Sequence, residues 1–327
     1  MRLWISRLSS LLLAPLSMLA GVFRAAPAHA DGSGVLKVLG PLAYAHAHND
    51  YEHERPLLDA LGHRFTSVEA DVWLVDDELF LGHFDPDPTR TLRDLYLEPL
   101  AALVTANDGS VHPSWDGTFQ LVVDVKSGGV EAWQVLERQL AAYDPVFSLC
   151  RDGSVQVGPV TVILSGQRDR LAMAAAPLRR AFYDATFDDL DSDLPAGLVG
   201  MVSASWIDHF TWRGIGPFLA RRRLHALVAR AHAAGWPVRL WGAPAVVRHN
   251  RRRIWQVQLD AGVDWINTDH LDELAHFLAR RRPTRLLARL GSRRDRGAPG
   301  GGRGDVSVAG EGVAQRRAAG GGEADGG

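Results

Sequence analysis

Short apolar segments recur along this chain, each ending in polar residues or a turn and most of them followed by a helical pattern. This alternation limits the fold more than any other feature. The segments are LAYAHAH, FTSVEADVWL, FQLVVDVKS, PVTVILSG, GLVGMVSASW, WPVRLWGA and VDWINTD. Helices are predicted at roughly Val130 to Ala142, Arg168 to Ala176, Gly216 to Ala234, Arg251 to Ala261 and Leu271 to Arg281. Strands that alternate with helices imply a parallel sheet whose crossovers are those helices. An eight-stranded barrel and an open doubly wound sheet both fit. The barrel is preferred because His48, Asp71, Lys126, Ser165, Ser205, Trp241 and Asp269 stand at the C-terminal ends of the segments, where barrel active sites form. A dinucleotide-binding sheet would want a glycine-rich turn after its first strand, and this chain has His48-Asn49-Asp50-Tyr51 there. The expected class is α/β, a single (β/α)8 TIM barrel.

The 327 residues exceed one barrel, and the two ends account for the excess. Arg2 and Arg7 precede an apolar run from Leu11 to Phe23, and Ala28-His29-Ala30 stands before Asp31. That pattern predicts a cleavable signal peptide over residues 1–30, and hence a secreted or cell-envelope protein. The run is short for a bilayer span and holds Pro15 and Gly21, which argues against a permanent anchor. The single cysteine, Cys150, cannot close an intramolecular disulfide and reads as a buried apolar filler. From Thr284 onward the chain is rich in Arg, Gly and Ala, predicting a disordered tail over residues 284–327. Between these ends, residues 31–283 leave about 250 residues, the usual size of one barrel.

The formal charge is −2, with no basic stripe interleaved with aromatics, which excludes an ordinary nucleic-acid-binding surface. The basic run of Arg280, Arg281, Arg282, Arg285, Arg289, Arg293 and Arg294 offers peripheral contact with an anionic membrane surface, although such runs are more often solvated helix ends. The helical patterns carry no dimer signal, so a monomer is expected.

Glu69 and Asp71 lie two apart on one predicted strand and so point to one face. Neighbouring carboxylates repel unless one is protonated or a cation sits between them. The flanking Val68, Ala70 and Val72 argue against a solvated edge. A second acidic strand carries Asp124 and, two residues on, Lys126; Lys37 is the only other lysine among 36 basic residues. Oxygen ligands favour Mg²⁺ or Ca²⁺ over zinc, so Glu69, Asp71 and Asp124 are the candidate metal ligands, with Asn49 as a fourth. His48 and His83 are the candidate proton-transfer groups. Lys126 is the candidate holder of a phosphoryl oxygen beside the metal. His46 shares the strand face of His48 but lies deeper and reads as packing or as support behind the site residues; His53, His63, His112, His225, His232 and His276 read as surface or helix residues. Trp241 reads equally as a pocket wall or as core. Together these residues point to metal-assisted cleavage of a phosphodiester.

AHAHNDYEHERPLLDAL, TSVEADVWLVDDELFLGH, LYLEPL, LVVDVKS and GVDWINTDHLDEL resemble the family named for altered inheritance of mitochondria, within the PLC-like phosphodiesterase superfamily. The resemblance covers nearly all of the predicted domain. It implies a barrel, a divalent cation, and a glycerophosphodiester or phospholipid substrate. Matched position by position, it implies paired histidines at His48 and His83, metal carboxylates at Glu69, Asp71 and Asp124, and a phosphate-binding lysine at Lys126. The His48-Asn49 pair resembles the calcium-dependent phospholipase C pattern, which implies Asn49 as a metal ligand. The H-R-G and E-N-T runs of glycerophosphodiesterases are missing, and Phe84 separates His83 from Asp85, so neither their substrate range nor an orienting role for Asp85 carries over. A non-catalytic barrel that binds a phospholipid or phosphoglycan is the alternative, motivated by those missing runs. Glycoside hydrolysis is the poorer third reading, because Glu69 and Asp71 share one strand face and that chemistry has no use for Lys126.

Overall fold

The predicted alternation is realised as a closed ring of parallel strands. The computed structural model describes residues 40–210 and 218–280. The predicted signal, the predicted tail and the basic run beyond Arg280 lie outside them. The strands are β1 Leu42–Ala47, β2 Phe65–Val75, β3 Glu78–Leu81, β4 Phe119–Val125, β5 Leu149–Arg151, β6 Ser154–Gln156, β7 Val160–Gly166, β8 Leu178–Arg179, β9 Ala181–Ala185, β10 Val199–Ser205, β11 Val238–Trp241 and β12 Trp265–Thr268. Around the ring the order is β1, β2, β4, β7, β9, β10, β11, β12, all parallel, and β1 pairs with both β2 and β12 to close it. This is a (β/α)8 barrel. β3 adds to β2 as an antiparallel hairpin, and β6, β5 and β8 form a separate small sheet.

The helices are α1 Leu58–Gly62, α2 Glu98–Ala106, α3 Gly129–Ala141, α4 Arg170–Ala175, α5 Trp206–His209, α6 Phe218–Ala233, α7 Arg248–Ala261 and α8 Leu271–Ala279. α3 buries Ala132, Trp133, Val135, Leu136, Gln139 and Leu140, the three- and four-residue spacing of one helical face. α7 ends at Gly262, whose φ of 86° suits the left-handed cap that glycine adopts without a Cβ clash. None of the described helices is long and apolar enough to cross a membrane.

β2 shows why the barrel is stable where its site lies. Val68, Ala70 and Val72 are fully buried on one side of the strand, and Ser67, Glu69 and Asp71 are buried on the other, the two-sided burial expected of a parallel strand. Each large aliphatic side chain buried in this way contributes about 1.5–3 kcal/mol. The strand can therefore carry charge on its inner face.

One barrel strand, β9, is missing from the sequence reading. Its residues AFYDA are all buried, but they follow Arg179 and Arg180, whose charges hide the start of a strand. Arg180 pairs with Asp144 and the buried Arg179 donates to the Gly197 carbonyl at 2.6 Å. The hairpin strand β3 and helix α2 also lie outside the predicted segments. His112 is a correction to the surface reading: it is 8 % exposed and its Nε2 donates to the Phe65 carbonyl at 2.7 Å. Cys150 is buried and free, as read.

Candidate active site

Strand register brings the acidic residues together. Asp71 of β2 stands directly opposite Asp124 of β4, which stands opposite Ser165 of β7, and Glu69 lies one inward position deeper on β2. One oxygen from each of Glu69, Asp71 and Asp124 falls within 4.8 Å of the others. Gly166 makes this approach possible: a Cβ there would lie 2.2 Å from Asp124 Oδ1, and its φ is +69°. His48, Asn49, Glu69, Asp71, His83, Asp124 and Lys126, all picked out from the sequence, line one cavity of ≈ 490 Å³ at the C-terminal end of the barrel.

The histidines reach this cavity by different routes. His48 follows β1, and its backbone N–H bonds to the Thr268 carbonyl at 3.0 Å, which sets it beside Asp269 at the end of β12. Its Nδ1 donates to Asp269 Oδ1 at 2.6 Å, and its Nε2 lies 3.9 Å from Glu69 Oε2. Burial opposes its charged form, but the Asp269 hydrogen bond and the Glu69 charge outweigh burial and raise its pKa. His83 arrives through the hairpin, whose tight turn places Asp76 and Asp77 at φ 47° and 68°, the geometry that folds a chain straight back. Val72 then pairs with Leu81, and His83 lands on Asp71. Its Nδ1 donates to Asp71 Oδ2 at 2.7 Å. The orienting carboxylate of His83 is thus Asp71, where the sequence left the role of Asp85 open. On both rings Nδ1 is committed to a carboxylate, which leaves Nε2 to take or give a proton.

Asp71 Oδ2 is crowded: besides His83 it accepts from Tyr51 OH at 2.9 Å and from Lys126 Nζ at 2.8 Å. Its Oδ1 is buried without a partner among the described residues. Lys126 also lies 3.5 Å from Asp124 Oδ2. Burial, then the Glu69 charge, pushes the Asp124 carboxyl up to about 6, against the pull of Lys126. An unpartnered carboxylate oxygen beside two further carboxylates fits a hard divalent cation. Oxygens on opposite sides of such an ion, at about 2.4 Å each, stand about 4.8 Å apart. The donor set therefore suits Mg²⁺ or Ca²⁺ better than a thiophilic metal.

The opposite wall was not legible in the sequence. Arg239 of β11 is 3 % exposed, and its Nη2 donates to Glu69 Oε2 at 2.8 Å. Burial alone would raise the Glu69 pKa, but Arg239 and then His46 hold this carboxyl well below the usual range. His46 is fully buried, pushed down to about 3 by burial and by Arg239. Its Nδ1 meets Ser67 Oγ at 2.7 Å and its Nε2 meets Glu69 Oε2 at 3.4 Å, so it braces Glu69 from behind. Asp184 of β9 accepts from Ser165 Oγ at 2.8 Å. Trp241 is 42 % exposed and walls the cavity. Arg239 and Asp184 gave no sequence signal, since one arginine among many and one aspartate in an unread strand are indistinguishable from surface charge. Tyr51 stands in the His48-Asn49-Asp50-Tyr51 run, but its bond to Asp71 depends on the fold.

A model of the AIM6-like phosphodiesterase domain matches residues 37–184. Altered inheritance of mitochondria protein 6 of Lachancea thermotolerans is 30 % identical over 279 residues, covering 71 % of this chain and 65 % of that protein. The chain thus spans just under two thirds of that relative. The protein of the same name from Eremothecium gossypii is 28 % identical, with 72 % and 69 % covered, and a homolog from Arthroderma benhamiae is 28 % identical, with 69 % and 81 % covered. Among solved structures, a glycerophosphoryl diester phosphodiesterase from Parabacteroides distasonis is similar at 16 % identity and a TM-score of 0.43, over 73 % of this chain and 87 % of that one.

Proposed function

The chain belongs to the AIM6-like phosphodiesterase family, and from that premise we propose that it is a metal-dependent phosphoric diester hydrolase acting on a glycerophosphodiester or a phospholipid head group. One observation carries the reading. Two histidines, each with Nδ1 held by a carboxylate, share a cavity with three clustered carboxylates and a lysine. Cleavage of a diester needs a base for the attacking water or neighbouring substrate hydroxyl, an acid for the leaving oxygen, and positive charge for the phosphoryl oxygens. His48 and His83 serve the first two needs from opposite sides of the scissile P–O bond. Lys126 Nζ serves the third. Glu69, Asp71 and Asp124, with Asn49 lining the same cavity, would hold the divalent ion, which when bound would supply Lewis-acid stabilisation of the phosphoryl group. Asp269 and Asp71 keep the two rings in the tautomer that presents Nε2.

The same proposal includes export by a cleaved signal at residues 1–30, action as a monomer, and peripheral contact of the basic C-terminal run with a membrane surface. These rest on sequence pattern alone. Hydrolysis of bis(p-nitrophenyl) phosphate and of a panel of glycerophosphodiesters and phospholipids, in EDTA and then with Mg²⁺ or Ca²⁺ restored, tests the core claim. We expect EDTA to abolish turnover and one cation to restore it. Turnover that EDTA leaves intact refutes metal dependence, and ligand binding without turnover on any substrate favours the non-catalytic barrel.

A further inference from the structure

The basic side chains that line the cavity are not alike, and one of them, His209, packs edge-on against the Phe187 ring. Lys126 is paired with Asp71 and Asp124, Arg239 with Glu69, His48 with Asp269 and His83 with Asp71. Arg168 lines the same cavity and makes no ion pair among the described residues. It is nevertheless held in place. Its Nε donates to the Asp184 carbonyl at 2.6 Å, its Nη1 donates to the Gly166 carbonyl at 3.0 Å, and its guanidinium lies 4.9 Å from the centre of the Tyr183 ring. The backbone beneath it is fixed too: the Arg168 N–H bonds to the Gly166 carbonyl at 2.9 Å, and Asp169 caps α4 through the N–H groups of Leu171 and Ala172.

Carbonyls and an aromatic face orient a guanidinium without pairing with its charge, and the buried Asp184 carboxylate feels that charge without an ion-pair contact. The two contacts use Nε and one hydrogen of Nη1, so Nη2 and the other Nη1 hydrogen remain as a donor edge for a ligand. An arginine fixed in this way has already lost the side-chain freedom that binding would cost it. Its place in the fold points the same way. Gly166 packs against Asp124 Oδ1, and Gln167 Nε2 donates to the Lys126 carbonyl at 2.7 Å, so the loop carrying Arg168 touches the end of β4 at two of the candidate site residues.

We propose that Arg168 is an oxyanion-recognition residue of this cavity, taking a phosphoryl or carboxylate group of the substrate on its free edge. The chemistry is shared by two sources, the scissile phosphate itself and a second anionic group elsewhere on the substrate. Only the choice between these sources rests on the phosphodiesterase reading; anion binding does not.

The test begins without turnover. Inorganic phosphate is titrated calorimetrically into the full chain in EDTA, for the wild type, Arg168→Gln and Arg168→Lys, with melting temperature recorded for each. We expect Arg168→Gln to bind phosphate about tenfold more weakly and Arg168→Lys to recover part of the loss, because it keeps the charge but not the fork. Unchanged phosphate affinity in a folded Arg168→Gln protein overturns the proposal. So does wild-type affinity in Arg168→Lys if Arg168→Gln fails to fold, since the free guanidinium edge then adds nothing to phosphate binding. The second arm compares p-nitrophenyl phosphodiesters whose other substituent is either uncharged or carries a carboxylate. A KM raised equally for both in Arg168→Gln assigns the anion to the scissile phosphate, and a rise confined to the carboxylate diester assigns it to a second group. Equal KM values in wild type and variant for both overturn the proposal. Failure of the phosphodiesterase reading shows separately, as wild-type protein that turns over neither diester while phosphate binding still depends on Arg168.

Discussion

The two walls of the cavity solve the same electrostatic problem in opposite ways. On β2 and β4, Glu69, Asp71 and Asp124 crowd three carboxylates together with Lys126 as their neighbouring lysine. On β9 to β11, the fixed cation Arg239 is buried against Glu69, and Asp184 is tied to Ser165 and, through its carbonyl, to Arg168. The first wall is left short of positive charge and so has room for an ion from outside. The second wall carries its own. Polar residues at the ends of barrel strands thus divide into groups arranged for chemistry and groups that make such an arrangement tolerable in a buried place. The division predicts that damage to the first wall costs activity and damage to the buried Arg239–Glu69 pairing of the second costs stability.

The largest effect is expected on the first wall. His48→Ala and His83→Ala should each lower turnover by about 10²- to 10⁴-fold with little change in melting temperature, because both rings are partly exposed and neither belongs to the core. Steady-state rates beside thermal melts separate the two quantities. Full activity in either folded variant removes that histidine from the proton-transfer role. On the second wall the signature should invert. Arg239→Met leaves Glu69 as an uncompensated charge at 4 % exposure, and breaking one side of a buried pair costs about 3–5 kcal/mol. Urea unfolding would read that loss directly. A variant as stable as the wild type would mean that Arg239 is not the counter-charge the second wall was taken to supply.

The two walls also differ in how well the sequence revealed them. The first was legible because its residues fall at period two on strands with apolar flanks, Val68, Ala70 and Val72, and because lysine is rare in this chain. Spacing along one strand is local information. The second wall depends on which strands meet across the barrel, and Arg239 reaches Glu69 from 170 positions away. No periodicity reports such a contact. β9 was lost for a related reason: a five-residue strand that begins beside two arginines looks like surface until Asp144 and Gly197 are seen to receive them. The hairpin that delivers His83 could be anticipated from the Asp76-Asp77 turn, but its result, a ring hydrogen-bonded to Asp71, could not.

Asp50 tests whether every residue of the His48-Asn49-Asp50-Tyr51 run belongs to the first wall. It does not line the cavity. Fully buried, it accepts at Oδ2 from the Leu57 N–H at 2.5 Å and from Tyr96 OH at 2.8 Å, while Oδ1 has no partner among the described residues. Leu57 holds a φ of 62°, unusual for a leucine, and the Asp50 carboxyl receives its N–H. Burial pushes the Asp50 pKa up to about 6 from 3.8, against the pull of the Leu57 and Tyr96 bonds. A pKa raised in the folded state means that the folded protein holds this proton more tightly than the unfolded chain does. The associated stability is fully present below 3.8 and is lost as pH rises through about 6. The loss over that window is on the order of 3 kcal/mol at most, at about 1.36 kcal/mol per unit. Asparagine suits the site, since its amide oxygen can occupy the Oδ2 position and accept both bonds while its NH₂ takes the position of the unpartnered Oδ1. Asp50→Asn should therefore gain on the wild type between pH 4 and pH 7, when urea unfolding is compared at each pH and titrations common to both proteins cancel. Its turnover should change least of all the substitutions named. A stability difference that stays flat across the window would show that Asp50 is ionised throughout, and a large loss of turnover would move it from scaffold to site.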